Sequence, residues 1–478
     1  MNSFWALSPL LLVVLAALVV LLLEVFLKKE TKDYLAYLSS LFLAGCGIIL
    51  MIFWDKNYSY FDGNFLLDNL ALVFSLLLTL ATILVILISI KYISLQGANY
   101  GEYYALLLFA LSGMLIMVSS QSLLIIFLGL EILSISSYSL AGLRRENPES
   151  SEAAIKYFLL GSFATAFLVY GLALMYGSTH SLEISSIIRF LTTGTHLNLM
   201  LLVGLGLIII GFAFKIALVP FHMWTPDVYQ GSPTPVTAFF SVGPKVVGFA
   251  VLLRIFHFYW ETAFHTQTLM TALWVISVLT MVVGNLIALR QTNVKRILAY
   301  SSIAHAGYLL IALIAQDPTS LIFYLAVYLF MNIGAFTAVT SLGRKGKEYV
   351  ELNDYSGIGF KYPWIGATFA VFLFSLAGFP PTGGFLAKFF VFASAVRKGF
   401  TPLVIIAVIA SLISVFYYLR IIVTMYMKEP SPSMQILTRN PVLFSVLFLC
   451  LYGVLQLGIY PGNVLGFIRQ AVAAMPLL

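Results

Sequence analysis

Long apolar runs, each closed by a charge or by a Pro/Gly cluster, recur from one end of this chain to the other. A run of roughly 20 apolar residues crosses a bilayer as a helix. Fourteen candidate spans follow, near 5–27, 35–54, 67–91, 103–119, 121–142, 152–176, 199–220, 235–258, 268–289, 297–315, 318–343, 364–396, 402–427 and 440–461. Lipid offers the backbone no hydrogen-bond partner, so spans of this length and composition are helices. Only 9% of the 478 residues are charged, against about 25% in soluble domains. The expected fold class is therefore an all-α integral membrane protein. The first run has no basic start and exceeds the roughly 7–15 residues of a signal-peptide core, so it is expected to be a span.

A net charge of +7 would point to nucleic acid in a soluble protein. Here the basic residues sit mostly in short loops between apolar runs. Fifteen lie in loops after odd-numbered spans, including Lys28, Lys29, Lys91, Arg144, Lys345 and Arg439, against five in the other loops. The positive-inside rule puts the richer side in the cytoplasm, matrix or stroma. Both termini then face outward, which requires an even number of spans. Cys46 and Cys450 lie in separate apolar runs without metal or redox spacing and are expected to be small buried hydrophobes. No Gly-rich dinucleotide loop or iron–sulfur cysteine cluster is present, so no cofactor or metal site is expected in this chain.

Six basic residues lie outside the loops: Lys156, Lys215, Lys245, Arg254, Lys388 and Arg420. Among the acids, Glu131 is mid-span and Glu24 is near a span end. A charge at the bilayer centre costs at least about 2.5–3.5 kcal/mol unless it is paired or used. Glu131 reads either as a static ion pair or as part of a proton or ion path. Lys156 can snorkel or pair with Glu152 four residues earlier. Lys215 precedes Pro220, Lys245 follows Gly243-Pro244, and Lys388 follows Pro380-Pro381, so each lies beside a potential helix break. Burial lowers a lysine's proton affinity, whereas arginine never deprotonates. Lysine at four such sites suggests titration. His305 can relay protons or serve as a core histidine, and His222 reads as a cap or interface residue. Arg254 and Arg420, nearer span ends, are expected to snorkel.

Paired Gly/Pro interruptions point to inverted repeats around an ion path. Pro220 and Pro380-Pro381 each fall in the fourth span of a five-span unit when spans 4–8 are laid over spans 9–13. An odd number of spans per unit inverts one unit relative to the other. The expected organisation is three N-terminal helices (1–102), a first five-helix repeat (103–258), a second (267–428), and a last span with the C-terminus (440–478).

Three stretches carry a specific resemblance: Glu152-Ala-Ala-Ile-Lys156-Tyr-Phe, the run from Lys215 through Pro220-Phe-His-Met-Trp-Thr-Pro-Asp227 to Ser232-Pro-Thr-Pro235, and Asn293-Val-Lys-Arg-Ile-Leu-Ala-Tyr-Ser-Ser-Ile-Ala-His305. The chain resembles the antiporter-like membrane subunits of proton-pumping NADH:quinone oxidoreductase, respiratory complex I, over roughly residues 65–430. The subunit N branch is the most similar, because the chain is short and Lys388 stands where subunit M typically has Glu. The resemblance implies a proton-translocation path. Glu131 and Lys215 form a carboxylate–lysine pair, modulated by Lys156. Lys245 connects the halves, His305 lies on the polar axis, and Lys388 is the terminal lysine.

The implied function is proton translocation driven by quinone reduction elsewhere in the complex. This chain would be a non-redox subunit of the translocase, with FMN, iron–sulfur clusters and quinone on other subunits. Other membrane and peripheral subunits and the lipid bilayer are the implied partners, and a bacterial plasma membrane is the expected location. A multi-subunit sodium/proton antiporter is the alternative. A membrane scaffold that only anchors a redox arm is a third reading.

Overall fold

The computed structural model describes residues 5–28, 31–61, 63–98, 100–192, 199–261, 267–430, 435–436 and 440–474. Lys29 and Arg439 of the basic loops lie outside the described residues. The first helices are α1 (Ser8–Phe26), α2 (Asp33–Ile52), α3 (Asn69–Ser89), the short α4 (Tyr92–Leu95), α5 (Glu102–Ser119), α6 (Leu123–Ala141), α7 (Pro148–Thr179) and α8 (Ile184–Thr192). The middle of the chain forms α9 (Leu199–Lys215), α10 (Trp224–Gly231), α11 (Thr234–Glu261), α12 (Gln267–Ala288), α13 (Val294–Ile314) and α14 (Pro318–Thr340). Last come α15 (Ile358–Lys361), α16 (Pro363–Ala377), α17 (Gly383–Arg397), α18 (Thr401–Met427), α19 (Pro441–Ile459) and α20 (Gly462–Ala473).

Among the described residues, twelve helices are long and apolar enough to cross a membrane. The chain is an all-α membrane protein. Local sequence sets the helix starts. The side chains of Asp68, Asn147, Asn293, Asp317 and Asn440 accept hydrogen bonds from backbone N–H groups of the first turn, satisfying donors that the helix cannot. Two small antiparallel hairpins, Tyr58–Tyr60 with Phe65–Leu67 and Gly343–Arg344 with Lys347–Glu348, lie between helices. Hydropathy does not reveal them.

The most apolar windows of α11 and α13 are 100% buried, whereas those of α1, α2, α7 and α12 are 33% buried. The outer helices therefore turn apolar surface away from the protein, and the inner ones form its axis. Close approach depends on small residues, as expected where lipid removes the hydrophobic drive between helices. A Cβ on Gly113 of α5 would lie 2.5 Å from the Gly129 carbonyl oxygen of α6. Cys46 and Cys450 are buried, as expected of small hydrophobes.

Three local expectations need correction. Pro244 does not interrupt α11, which runs through it. A helix-interior proline costs about 3 kcal/mol, and complete packing around α11 holds the helix together. Arg254 does not snorkel. It is buried and donates to both Asp68 carboxylate oxygens, at 3.0 and 3.2 Å, and to the Val118 carbonyl at 3.1 Å. Arg420 does not snorkel either. It turns inward and donates to the carbonyls of Leu289, at 3.0 Å, and Gln291. Both carbonyls lie in the turn that follows α12.

Candidate functional site

Three of the candidate lysines sit at or across from two places where a helix stops partway. Helix α9 ends at Lys215 and the chain resumes as α10 at Trp224. The turn between them folds back on itself, with Ile216, Ala217 and Leu218 donating to Phe212, Phe214 and Ala213. Trp224 Nε1 adds a 3.0 Å hydrogen bond to the Phe214 carbonyl. The Ile216 carbonyl accepts from Lys245 Nζ on α11 at 3.2 Å. Thus the break supplies the partner for the second lysine.

Lys215 is buried and donates to Ser134 Oγ of α6 at 2.8 Å. Its ammonium also lies over the rings of Tyr138 and Tyr157, 5.9 and 5.5 Å from their centroids. Such placement favours a cation. Glu131 lies one turn from Ser134 on α6 and accepts from Thr165 Oγ1 of α7 at 2.9 Å. No direct Glu131–Lys215 ion pair occurs among the described residues. Instead, Ser134, Thr165, Lys215 and neighbours line a cavity of about 10 Å³, close to the room one water needs. Thr165, which donates to the Glu131 carboxylate, and Ser134, which accepts from the Lys215 ammonium, both line that gap.

The second break repeats the arrangement. Helix α16 ends at Ala377, and Gly378 takes a left-handed conformation (φ 93°) with its N–H bonded to Phe374 and Ser375. The carbonyls of Leu376 and Ala377, left over by this cap, accept from Lys388 Nζ of α17 at 3.1 and 2.9 Å. Ser411 Oγ accepts a third bond at 2.9 Å, and the Tyr308 ring centroid lies 5.1 Å from the ammonium. A Cβ on Gly378 would lie 3.1 Å from the Lys388 side chain, so glycine serves both the turn and the lysine's seat.

Between the two breaks runs a buried polar network on α13. His305 Nδ1 is 2.7 Å from Tyr324 Oη, and its Nε2 is 3.4 Å from Tyr418 Oη. Tyr418 in turn bonds Ser301. Ser302 lies 2.9 Å from Tyr328 Oη and 3.4 Å from Tyr229 Oη. Asn285 joins Tyr308 at 3.1 Å to Tyr417 at 2.9 Å. The Ser and Tyr residues flanking His305 in sequence read as neighbours for a water chain, but its partners from distant helices, Tyr324 and Tyr418, carry no such signal.

Lys156 stands apart from the buried set. It pairs with Glu152 at 2.7 Å, as its spacing suggested, and with Asp227 of α10 at 2.6 Å. The other Asp227 oxygen accepts from Arg296 of α13 at 2.7 Å. Asp227 therefore ties α7 to α13 through the broken segment. His222 lies in the turn before α10, where its carbonyl accepts from Thr225 N–H. Glu24 pairs with Lys32 at 2.6 Å.

The family model described as "NADH:quinone oxidoreductase/Mrp antiporter, TM" matches residues 120–414. That stretch contains both breaks and every buried lysine of the site. NADH-quinone oxidoreductase subunit N of Trichlorobacter lovleyi is 45% identical over 456 residues, 95% of this chain and 93% of that protein. The chain belongs to the subunit N family of NADH-quinone oxidoreductases. A second subunit N, from Chloroflexus aggregans, is 39% identical over 98% of this chain and 97% of its own length. A chain of respiratory complex I from Thermus thermophilus is 34% identical, with a TM-score of 0.83 over 96% of this chain and 98% of that one. A chain of the Mrp complex from Dietzia shares the fold, with a TM-score of 0.84, at 20% identity over 99% of this chain and 97% of that one. The subunit N family membership and the antiporter-like fold thus rest on comparisons spanning nearly the whole chain.

Proposed function

We propose that this chain is a proton-translocating membrane subunit of an NADH:quinone oxidoreductase. The observation that carries the reading is the set of three enclosed lysines, Lys215, Lys245 and Lys388, hydrogen-bonded to neutral oxygens at or across from two helix breaks. A neutral acceptor stabilises an ammonium without trapping it in an ion pair, so the lysine can hold or release a proton as charge changes nearby. Glu131 supplies such a charge beside Lys215. His305 and its tyrosine partners supply hydroxyl and imidazole positions along the axis. Proton translocation then uses Glu131, Lys215, Lys245, His305 and Lys388, with Lys156 acting from its pairs with Glu152 and Asp227.

Counting α9 with α10 and α16 with α17 as single crossings gives fourteen spans. The five-span units are then 103–258 and 267–428, flanked by 1–102 and 440–478. The basic loops face the cytoplasm and both termini face outward in a bacterial plasma membrane. FMN, iron–sulfur clusters and quinone belong to other subunits of the complex, which are this chain's partners along with lipid. This chain contributes no redox step. An antiporter in the manner of the Mrp complex shares this architecture and falls under the same family description, but the chain from the Mrp complex is only 20% identical, against 45% for a subunit N.

The test is Lys215→Ala in the assembled complex, read by proton uptake into inside-out vesicles and by NADH oxidation coupled to quinone. Pumping and coupled electron transfer are expected to collapse while assembly persists. Wild-type pumping would return the buried lysines to a structural role and favour the scaffold reading.

A further inference from the structure

A second buried ionic cluster lies apart from the lysine relay, on the side where the basic loops gather. Glu348, on the hairpin after α14, places its carboxylate under Thr234 at the start of α11, accepting from its N–H at 3.1 Å and its hydroxyl at 2.7 Å. Tyr92 of α4 donates to the same oxygen. The other oxygen faces two cations, Arg144 at 3.3 Å and Lys295 of α13 at 3.4 Å. Lys295 has no solvent exposure and also donates to the Ser232 carbonyl at 2.6 Å. Arg144 donates to the Gly231 carbonyl at 3.0 Å. Residues from four other segments thus converge on one carboxylate.

This carboxylate is also reachable. A cavity of about 880 Å³, lined by Gln96, Tyr100, Arg144, Asn147, Lys347 and Glu348 among others, opens beside it. The lining is largely polar or charged, unlike the apolar pocket at Lys388. On its inner side stands Lys295, in the first turn of α13. That helix also carries Ser301, Ser302 and His305. At 1.5 Å rise per residue, His305 lies about 15 Å further along the same helix. The cluster therefore joins a polar opening to the helix that carries the buried polar network.

We propose that Glu348 is the proton-accepting group at the entrance to the relay, taking a proton from water in this vestibule and passing it to Lys295 Nζ at the head of α13. The inference rests on the proton-translocation reading above and adds its point of entry. In the first step a carboxylate oxygen gains a proton from hydrated solvent. In the second, the proton moves to the neutral amine of Lys295, restoring the carboxylate and forming the ammonium that Ser232 already accepts from. Arg144 stays charged throughout and holds the carboxylate in place.

The charge balance suits this role. Burial pushes the Glu348 carboxyl up to about 8, against the Thr234 N–H, which favours the ionised form. Arg144 and Lys295 pull in the same direction as Thr234. Glu149 faces the two cations, while Tyr92 and Tyr355 complete the groups around Glu348. A carboxyl raised by burial loads at higher pH than an ordinary carboxylate and stops loading as pH rises past its own proton affinity.

The experiment uses the whole complex in inside-out vesicles and compares Glu348→Gln with Lys215→Ala across pH. Glu348→Gln is expected to assemble, to lose at least ~10-fold in proton uptake and coupled NADH oxidation, and to lose the alkaline limb of the pH profile. Glu348→Asp is expected to recover activity with that limb displaced. Wild-type rate and pH profile in Glu348→Gln, with Lys215→Ala inactive, would overturn the entrance and leave the relay standing. Wild-type behaviour in both would overturn the two together. A loss in Glu348→Gln that keeps the wild-type pH profile would mark Glu348 as a structural residue and overturn the proposal. Should Glu348→Gln fail to assemble, Lys295→Arg carries the test, since it keeps the charge and cannot release the proton. Lost pumping in the assembled Lys295→Arg complex supports the entrance, and wild-type pumping overturns it.

Discussion

Lys388→Arg separates a proton carrier from a fixed charge. Both side chains are cationic, and both can donate to the Leu376 and Ala377 carbonyls and to Ser411 Oγ, the three acceptors of the native ammonium. Steric exclusion is not the issue, because a cavity of about 550 Å³ adjoins Lys388 on the side lined by Gly378, Phe385, Phe392 and Ser411. The surroundings act on either cation alike, so what changes is the intrinsic cost of deprotonation. Ordinary lysine and arginine differ by about 2–3 pH units, which at about 1.36 kcal/mol per unit is about 3–5 kcal/mol. If the proton must leave residue 388 in each cycle, that cost appears in the barrier as a loss of ~10²–10³-fold. The assay is proton uptake into inside-out vesicles alongside NADH oxidation coupled to quinone, with assembly checked on native gels. Lys388→Met serves as the reference without charge. Lys388→Arg is expected to be as inactive as Lys388→Met in a fully assembled complex. Wild-type pumping by Lys388→Arg, with Lys388→Met inactive, would show that only the positive charge is needed and would refute titration at this site.

Two further outcomes follow from the same contacts. Arg254→Met leaves the buried Asp68 carboxylate without its bidentate partner, and breaking such a pair costs about 3–5 kcal/mol. Loss of assembled complex is therefore expected, with much of it recovered in the Asp68→Asn/Arg254→Met double variant, and an unchanged thermal midpoint for Arg254→Met would refute the pairing. Lys156→Ala removes contacts to Glu152 and Asp227, but the lysine side chain is 41% exposed, so solvent screening limits the stability loss to about 1 kcal/mol. Its thermal midpoint should stay near wild type while turnover falls severalfold, and a stability loss as large as that of Arg254→Met would contradict this ranking.

Much of the architecture was legible because hydropathy reports directly on lipid burial. The apolar runs around α1 to α3 or α18 needed no tertiary information. The two broken spans were legible for a similar reason, since Pro220 and Pro380-Pro381 each remove a backbone donor and weaken a continuous helix there. Pro244 shows the limit of that argument: its cost is local, and the enclosed packing of α11 outweighs it. Arg254 and Arg420 were misread because distance from a span end says nothing about a partner on another helix. Asp68 lies 186 positions from Arg254. The Glu348 cluster was hidden in another way. The acid sits in a basic stretch, Arg344 to Lys347, that reads as a solvated loop, and its partners Tyr92, Arg144, Thr234 and Lys295 come from four other places in the chain. The water-sized cavity beside Lys215 belongs to the same class, being lined by Ser134 and Thr165 from other helices.

The buried cations fall into two groups by what accepts from them, and the division explains why helices break beside some of them. Arg254 faces a full carboxylate, and neither member of that pair can change charge without stranding the other in the interior. Lys215, Lys245 and Lys388 face a hydroxyl or carbonyl oxygens. The carbonyl acceptors at the end of α16 carry the partial negative charge of a helix C-terminus, worth up to about 2 kcal/mol for a partly buried cation. That is enough to lower the cost of an ammonium inside the protein and too little to fix it there. A continuous helix would have consumed those carbonyls in its own hydrogen bonds. Breaking α16 frees them, as the turn after α9 frees Ile216, and so creates a weak, neutral seat that a carboxylate could not provide. Lys295 is the intermediate case, shared between the neutral Ser232 carbonyl and Glu348. A lysine in that position can exchange its proton with the carboxylate itself, so the ion pair forms or collapses by a single proton shift. Such a pair belongs at a boundary between water and the interior, which is where the vestibule meets α13.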